Sequence, residues 1–370
     1  MELKNNYNEC ITNLACSIRK YFELEYNHNT LDYIDKILEE RKPKNVVTIL
    51  YDGMGSNILD KILAPDSFFI KNRLTKINTV FPATTVAATT SIRTGLNPVE
   101  TGMLGWYMYF KDIDKTIEVY PECLKGDETE TPLIEVKKIK EKYLKTKTIV
   151  DDINEINKFK AYELMPFEKE KHYYEDLDEM LDKIEELCLQ DGKKYIYAYD
   201  TEPDSIMHRF GTYSKEVKDL IRYRNIMTEK LCNRLKDTVI FIIADHGHIP
   251  VENIHLEDYP DILECMERDL SLDSRAVNFF IKKDKKEEFV KLFNKYFKDD
   301  FDLIIRQDVI DSKLFGDGEE NEIYRTALGD YLAIGKTNKT INYNKKTVHK
   351  SHHAGYTDDE LYVPLIVVKR

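Results

Sequence analysis

Four short, nearly continuous apolar runs punctuate a chain that is otherwise rich in charged stretches: residues 46–50, 195–199, 238–244 and 363–368. Runs of this length, dominated by β-branched and aromatic residues, predict strands buried on both faces, as in parallel sheets. Charged stretches with helical periodicity lie between them, at 175–190 and 214–236. Residues 7–41 also read as helical, with Ile11, Leu14, Ile18 and Phe22, then Leu31, Ile34 and Leu38, at the apolar positions. Arg41-Lys42-Pro43-Lys44 closes that stretch, since proline cannot continue a helix. The alternation predicts an α/β fold, a mostly parallel central sheet flanked by helices. Residues 105–175 and 255–345 are more polar and less regular. Within the second, 275–282 followed by 287–297 reads as strand then helix, a smaller inserted α+β subdomain, and the charge run 282–288 reads as a solvated helix start. The expected organisation is an N-terminal helical segment at 1–44 packed on the core, a catalytic core at 45–254 and 346–370, and an inserted subdomain at 255–345. No internal repeat is present.

Composition narrows the classes of function. The chain has 370 residues, of which 42% are hydrophobic and 11% aromatic, the profile of a well-packed globular enzyme. A net charge of −12 with no basic run excludes a long nucleic-acid duplex as partner. A small phosphorylated substrate remains open, because bound metal ions supply local positive charge. No stretch approaches about 18 uncharged apolar residues, and the N-terminus has no apolar core of signal-peptide length. The expectation is a soluble cytoplasmic protein with no membrane partner. The six cysteines show no CxxC pairing and are expected as reduced, mostly buried thiols without a chemical role.

Candidate chemistry gathers where the apolar runs give way to loops. Asp52 follows the first run and precedes Gly53-Met54-Gly55. A strand-end Asp serves equally as turn former or helix cap, but the glycines would let the backbone pass close to a ligand or metal. Phe81-Pro82-Ala83-Thr84-Thr85 leads into what reads as the first turns of a helix, Val86-Ala87-Ala88-Thr89-Thr90-Ser91-Ile92. A hydroxyl there either caps the helix or, beside free N–H groups and the positive end of the dipole, faces a phosphoryl group. It becomes a good nucleophile only when a metal or base lowers its pKa. Asp204 and His208 stand four apart on one helical face, a spacing for a surface ion pair or for chelation of one zinc ion. Asp245-His246-Gly247-His248 ends the third run, and desolvating an adjacent acid and imidazole costs several kcal/mol unless both are bound to something. His352 and His353 precede the last run and do not readily face one metal together, so one of them is expected to be a bystander. Together the segments pool three carboxylates, three imidazoles and a hydroxyl, the donor set of a two-metal phosphoryl-transfer site.

At these residues the chain resembles the alkaline phosphatase superfamily, and most closely its type I phosphodiesterase/nucleotide pyrophosphatase branch. The matching pieces are Glu202-Pro203-Asp204 with His208, Asp245-His246-Gly247, and His353 with Gly355, Thr357 and Glu360 ahead of Val363-Pro364. Phe81-Pro82-x-x-Thr85 followed by Thr94-Gly95-Leu96-x-Pro98 matches as well. The resemblance implies an alkaline-phosphatase-like fold, with Asp204, His208 and His353 as ligands of one zinc and Asp52, Asp245 and His246 as ligands of the second. It implies Thr85, and not Thr84, as nucleophile. The implied cofactors are two divalent metal ions, Zn2+ foremost, with Mn2+ or Fe tolerated by the same donors. The implied reaction is hydrolysis of phosphodiester or pyrophosphate bonds in small substrates, nucleotides among them, through a phosphothreonine intermediate. In one respect the chain departs from the branch, which carries an Asn three residues after the nucleophile, hydrogen-bonded to a phosphoryl oxygen; here that residue is Ala88. Losing such a donor typically costs about 2.7–4 kcal/mol of transition-state stabilisation, so another group substitutes or the substrate preference has moved. The alternative expectation is a phosphomonoesterase or phosphonate hydrolase using the same nucleophile and metals, with Arg93 or Arg275 supplying charge for the dianion. A catalytically silent phospho-ligand-binding protein is disfavoured, because all six ligands and the nucleophile are present.

Overall fold

The computed structural model describes residues 6–127, 129–167, 172–346 and 348–370. Residues 1–5 of the expected N-terminal segment, and residues 128, 168–171 and 347 of the expected core, lie outside the described residues. The stretch expected as helical over 7–41 is two helices, Ile11–Tyr21 and Asp32–Arg41. Between them lies Asn27-His28-Asn29, a poor helix-forming sequence. Asn13 holds this connection by donating to the Asn29 carbonyl at 2.8 Å. The second helix ends where proline predicts, with Lys42 in the left-handed region just before Pro43.

Six strands form the central sheet, in the order Arg73–Asn78, Tyr362–Lys369, Thr238–Ile243, Asn45–Tyr51, Lys194–Asp200, Lys160–Leu164. Asn45–Tyr51 pairs in parallel with both Lys194–Asp200 and Thr238–Ile243, and Lys160–Leu164 adds in parallel at one edge. Tyr362–Lys369 runs antiparallel to both of its neighbours, which makes the sheet mixed. Every residue of Asn45–Tyr51, Lys194–Asp200 and Thr238–Ile243 is buried, so both faces are covered. The covering helices fall into two packed sets. Ile11–Tyr21 lies against Asp32–Arg41 and Thr85–Thr94, while Lys215–Arg234 lies against Leu177–Leu189 and Ser56–Ile62. The charged periodic stretches form the helices expected of them, and side chains of Asp176 and Ser214 cap Leu177–Leu189 and Lys215–Arg234. Asn45–Tyr51 is flanked on both sides by strands that come later in the chain, the crossing point at which open α/β sheets leave a crevice at their strand ends.

A second, seven-stranded sheet runs Phe301–Ile305, Tyr331–Gly335, Ala276–Phe279, Ser271–Asp273, Tyr107–Phe110, Lys115–Glu118, Cys123–Leu124. The 275–297 stretch forms strand Ala276–Phe279 and helix Lys286–Phe297, whose Phe289, Phe293 and Phe297 pack with Phe279. Its last three strands come from 107–124, a segment grouped by sequence with the core, through a single pairing of Tyr107 with Leu272. At two to four residues each, these strands are too short to predict a partner so far along the chain.

Arg275 joins this second sheet to the segment after His353. It is fully buried, and its Nε and Nη2 donate to Glu360 Oε1 and Oε2 at 2.6 and 2.8 Å. Glu360 also accepts from the Gly355 N–H and the Thr357 hydroxyl, each at 2.7 Å. Burial by itself raises the Glu360 carboxyl, but the guanidinium and these hydrogen bonds outweigh it and hold the group below its ordinary value. A depressed folded-state pKa stabilises the fold above the unfolded value, about 4.3, and that stability is lost as pH falls through the folded value. Glu360→Gln leaves a buried guanidinium without its counter-charge and should cost about 3–5 kcal/mol in urea unfolding at pH 7. The gap to wild type should narrow once the pH falls below about 4.

Candidate active site

Asp52, Asp245 and His246 meet at the ends of two adjacent parallel strands, offering ligand atoms that all lie within 4.8 Å of one another. Each carboxylate has one oxygen tied down and one bare. Asp52 Oδ2 accepts from the Tyr199 hydroxyl, while Asp52 Oδ1 is buried without a hydrogen-bond partner. Asp245 Oδ1 accepts the backbone N–H groups of Gly53 and His246, both at 2.9 Å, and its Oδ2 is likewise bare. His246 Nδ1 lies 3.1 Å from the Gly247 carbonyl, which assigns the proton there and turns Nε2 toward the bare oxygens, at 3.4 and 3.5 Å. Thr85 Oγ1 lies 3.2 Å from the same nitrogen, at the first position of helix Thr85–Thr94.

Asp204, His208 and His353 form a second group, joined by His248. Asp204 opens helix Asp204–Phe210, so His208 returns one turn later with Nε2 at 3.4 Å from Asp204 Oδ2. His208 Nδ1 lies 2.9 Å from the Ser351 carbonyl, and His353 Nδ1 lies 2.9 Å from the Ala83 carbonyl. All three imidazoles therefore have Nδ1 held by a backbone carbonyl and Nε2 turned inward, the arrangement that orients histidine for a metal. The His246 and His353 rings stack at 3.8 Å between centroids, which sets the two groups side by side.

The electrostatics fit bound cations. Burial, followed by the charges of Asp245 and Asp204, pushes the Asp52 carboxyl well above its ordinary value, and burial raises Asp245 too. Burial would also raise Asp204, but His208, His248 and His246 outweigh it and hold that carboxyl down. Burial and the neighbouring imidazoles keep His353 neutral, with its lone pair available. Bare buried oxygens facing pre-oriented imidazole nitrogens are a donor set that suits two divalent ions.

Residues outside the predicted set also enter the site. His248 Nε2 lies 2.6 Å from Asp204 Oδ1. Its place two residues after His246 was the available signal. Asp273 is buried beside the Thr84-Thr85 segment, accepting from the Trp106 N–H at 3.3 Å and the Thr84 hydroxyl at 3.4 Å, and burial pushes its carboxyl up to about 7. Nothing local marks it, since only the second sheet brings it there. His352, paired by sequence with His353, turns instead toward His208 and His349. Ala88 is buried in the main core and offers no side-chain donor. Neither arginine considered for a phosphate dianion is free. Arg93 makes a bidentate pair with Glu163 at 2.6 and 2.9 Å, and Arg275 is held by Glu360.

Two cavities, of about 700 and about 840 Å³, converge on Thr85 and share Trp106, Asp204 and Ser205 in their walls. No helix among the described residues is long and apolar enough to cross a membrane.

No curated protein sequence matches the chain. Solved structures do resemble it. Human ectonucleotide pyrophosphatase/phosphodiesterase 5 superposes with a TM-score of 0.67 at 16% identity, covering 88% of this chain and 87% of that one. The murine protein gives 0.66 at 15% identity, covering 88% of each chain. An inactive threonine-to-alanine form of the murine protein, in complex with AMP, gives 0.63 at 16% identity, covering 86% of this chain and 87% of that one. At such identities the likeness shows an alkaline-phosphatase-like α/β fold. Residues 46–356, well over half of the sequence, match the family model described as type I phosphodiesterase / nucleotide pyrophosphatase. The chain therefore belongs to the type I phosphodiesterase/nucleotide pyrophosphatase family of the alkaline phosphatase superfamily and is a phosphoric ester hydrolase.

Proposed function

We propose that the protein hydrolyses phosphodiester or pyrophosphate bonds in small substrates, nucleotides among them, through a phospho-Thr85 intermediate at a site for two divalent ions, Zn2+ foremost. The observation that carries this reading is that the walls of two roomy cavities share Thr85, which leaves space for both substituents of a diester or pyrophosphate around a phosphorus at Thr85. A monoester fills one side only, and its second charge calls for a free cation that neither Arg93 nor Arg275 supplies. The AMP held by the murine relative, and the Trp106–Tyr120 pair at 5.9 Å between ring centroids, place nucleotides first among substrates to test.

Asp52, Asp245 and His246 would hold one ion and Asp204, His208 and His353 the other. Bound there, the ions would supply Lewis acidity and neutralise charge on the phosphoryl oxygens. Thr85 Oγ1 gives up its proton and bonds to phosphorus as the bond to the leaving alcohol or phosphate breaks, the leaving oxygen taking up a proton, and water then cleaves the phosphothreonine and restores the hydroxyl. The helix that begins at Thr85 points its positive end at the phosphoryl group, partly replacing the donor that Ala88 lacks. The cytoplasm remains the proposed compartment, on the strength of six buried free thiols.

Thr85→Ala should lower turnover by at least about 10⁴-fold while leaving metal content unchanged by elemental analysis. Retained turnover would remove Thr85 from the nucleophile role. On nitrophenyl esters, zinc-loaded protein should show a higher kcat/KM for the diester than for the matching monoester, and a chelator should abolish both. A monoester preference would instead select the phosphatase alternative.

A further inference from the structure

Beside the outer group of Asp204, His208 and His353 lies a cluster that the proposed mechanism leaves unused. His208, His349 and His352 each offer a ring nitrogen within 4.8 Å of the other two. The ring centroids are 4.9 Å apart for His208–His349, and 4.7 Å for both His208–His352 and His349–His352. All three line the cavity of about 700 Å³, so an ion arriving from solvent can reach them, although His352 itself is only 6% exposed. His352 Nδ1 accepts the His353 backbone N–H at 2.9 Å, so Nε2 is the nitrogen left to meet an ion and releases its proton when one binds.

We propose that His208, His349 and His352 form an entry position for the outer metal ion, from which the ion passes to the Asp204, His208 and His353 group. The proposal rests on the two-metal reading above. His208 belongs to both sets, and its Nδ1 is held by the Ser351 carbonyl, so its Nε2 serves one ion at a time and the two positions are alternatives. Three uncharged imidazoles favour borderline ions such as Zn2+, Co2+ or Ni2+ over Mg2+ or Ca2+. The Asp204, His208 and His353 group adds a carboxylate, whose charge draws a divalent ion onward. The imidazole set thus filters and delivers the ion, and the carboxylate set retains it.

The test uses metal-free full-length protein titrated with Co2+, read by d–d absorption and by stoichiometry. Wild type should bind two equivalents. Asp204→Asn combined with His353→Ala should still bind two, the second with an altered spectrum, and adding His349→Ala and His352→Ala should lose that second equivalent. On the otherwise intact chain, His349→Ala with His352→Ala should keep two equivalents at equilibrium but take up the second more slowly, by about tenfold. This kinetic arm decides the matter should the Asp204 and His353 variant not fold. Two equivalents in wild type with only one in the Asp204→Asn, His353→Ala protein would overturn the entry position alone, as would unchanged uptake in the His349 and His352 variant. Wild-type protein that binds no Co2+ would overturn the two-metal reading, and this proposal with it.

Discussion

The carboxylates of Asp52 and Asp245 are taken out of water together at the ends of two adjacent central strands, with Asp204 close by, and much of the remaining structure answers to that constraint. Two like charges about 4 Å apart repel by about 4 kcal/mol at an effective dielectric near 20. Tyr199 and two backbone N–H groups satisfy one oxygen each of Asp52 and Asp245, which fixes where the remaining oxygens point without neutralising them. The unsatisfied oxygens and the inward Nε2 atoms are thus two halves of one arrangement, costly when empty and stabilising when divalent cations fill it.

Such convergence needs loops that nearly touch. A side chain at Gly53, which has φ +72°, would bring a Cβ within 2.8 Å of Met207 Cε and 3.2 Å of Asp204 Cα. One at Gly247 would overlap the Asp359 carbonyl oxygen, in the segment that leads to Glu360. The glycines beside Asp52 and after His246 therefore set how closely the ligand-bearing loops approach. Arg275 and Glu360 then anchor the His353 segment against the second sheet, so the two sheets share one site wall.

The same packing shapes what the site accepts. Arg93 is committed to Glu163 and Arg275 to Glu360, so neither arginine is open to a ligand at Thr85. Asp273, its carboxyl pushed up to about 7 by burial, accepts from the Thr84 hydroxyl and the Trp106 N–H on the wall of one cavity. The two cavities that share Thr85 in their walls have volumes of about 700 and about 840 Å³, room for a substrate with two substituents on phosphorus.

Local pattern and spacing sufficed to mark the buried strands, the amphipathic helices, and the segments around Asp52, Thr85, Asp204, His208, Asp245, His246 and His353. The reason is physical: continuous apolar runs have few stable alternatives to a covered strand, and polar groups at their ends must find partners. Long-range placement was a different matter. The break between Ile11–Tyr21 and Asp32–Arg41, the antiparallel direction of Tyr362–Lys369, and the joining of 107–124 to Ser271–Asp273 depend on contacts between segments far apart in the chain. So do the burial of Asp273, the capture of both arginines by carboxylates, and the turning of His352 toward His208 and His349. Sequence alone marked which groups are candidates for the chemistry, because their type and spacing are local properties. Tertiary structure alone decided which of them face one another and which are neutralised, because burial and charge pairing are properties of neighbours in space.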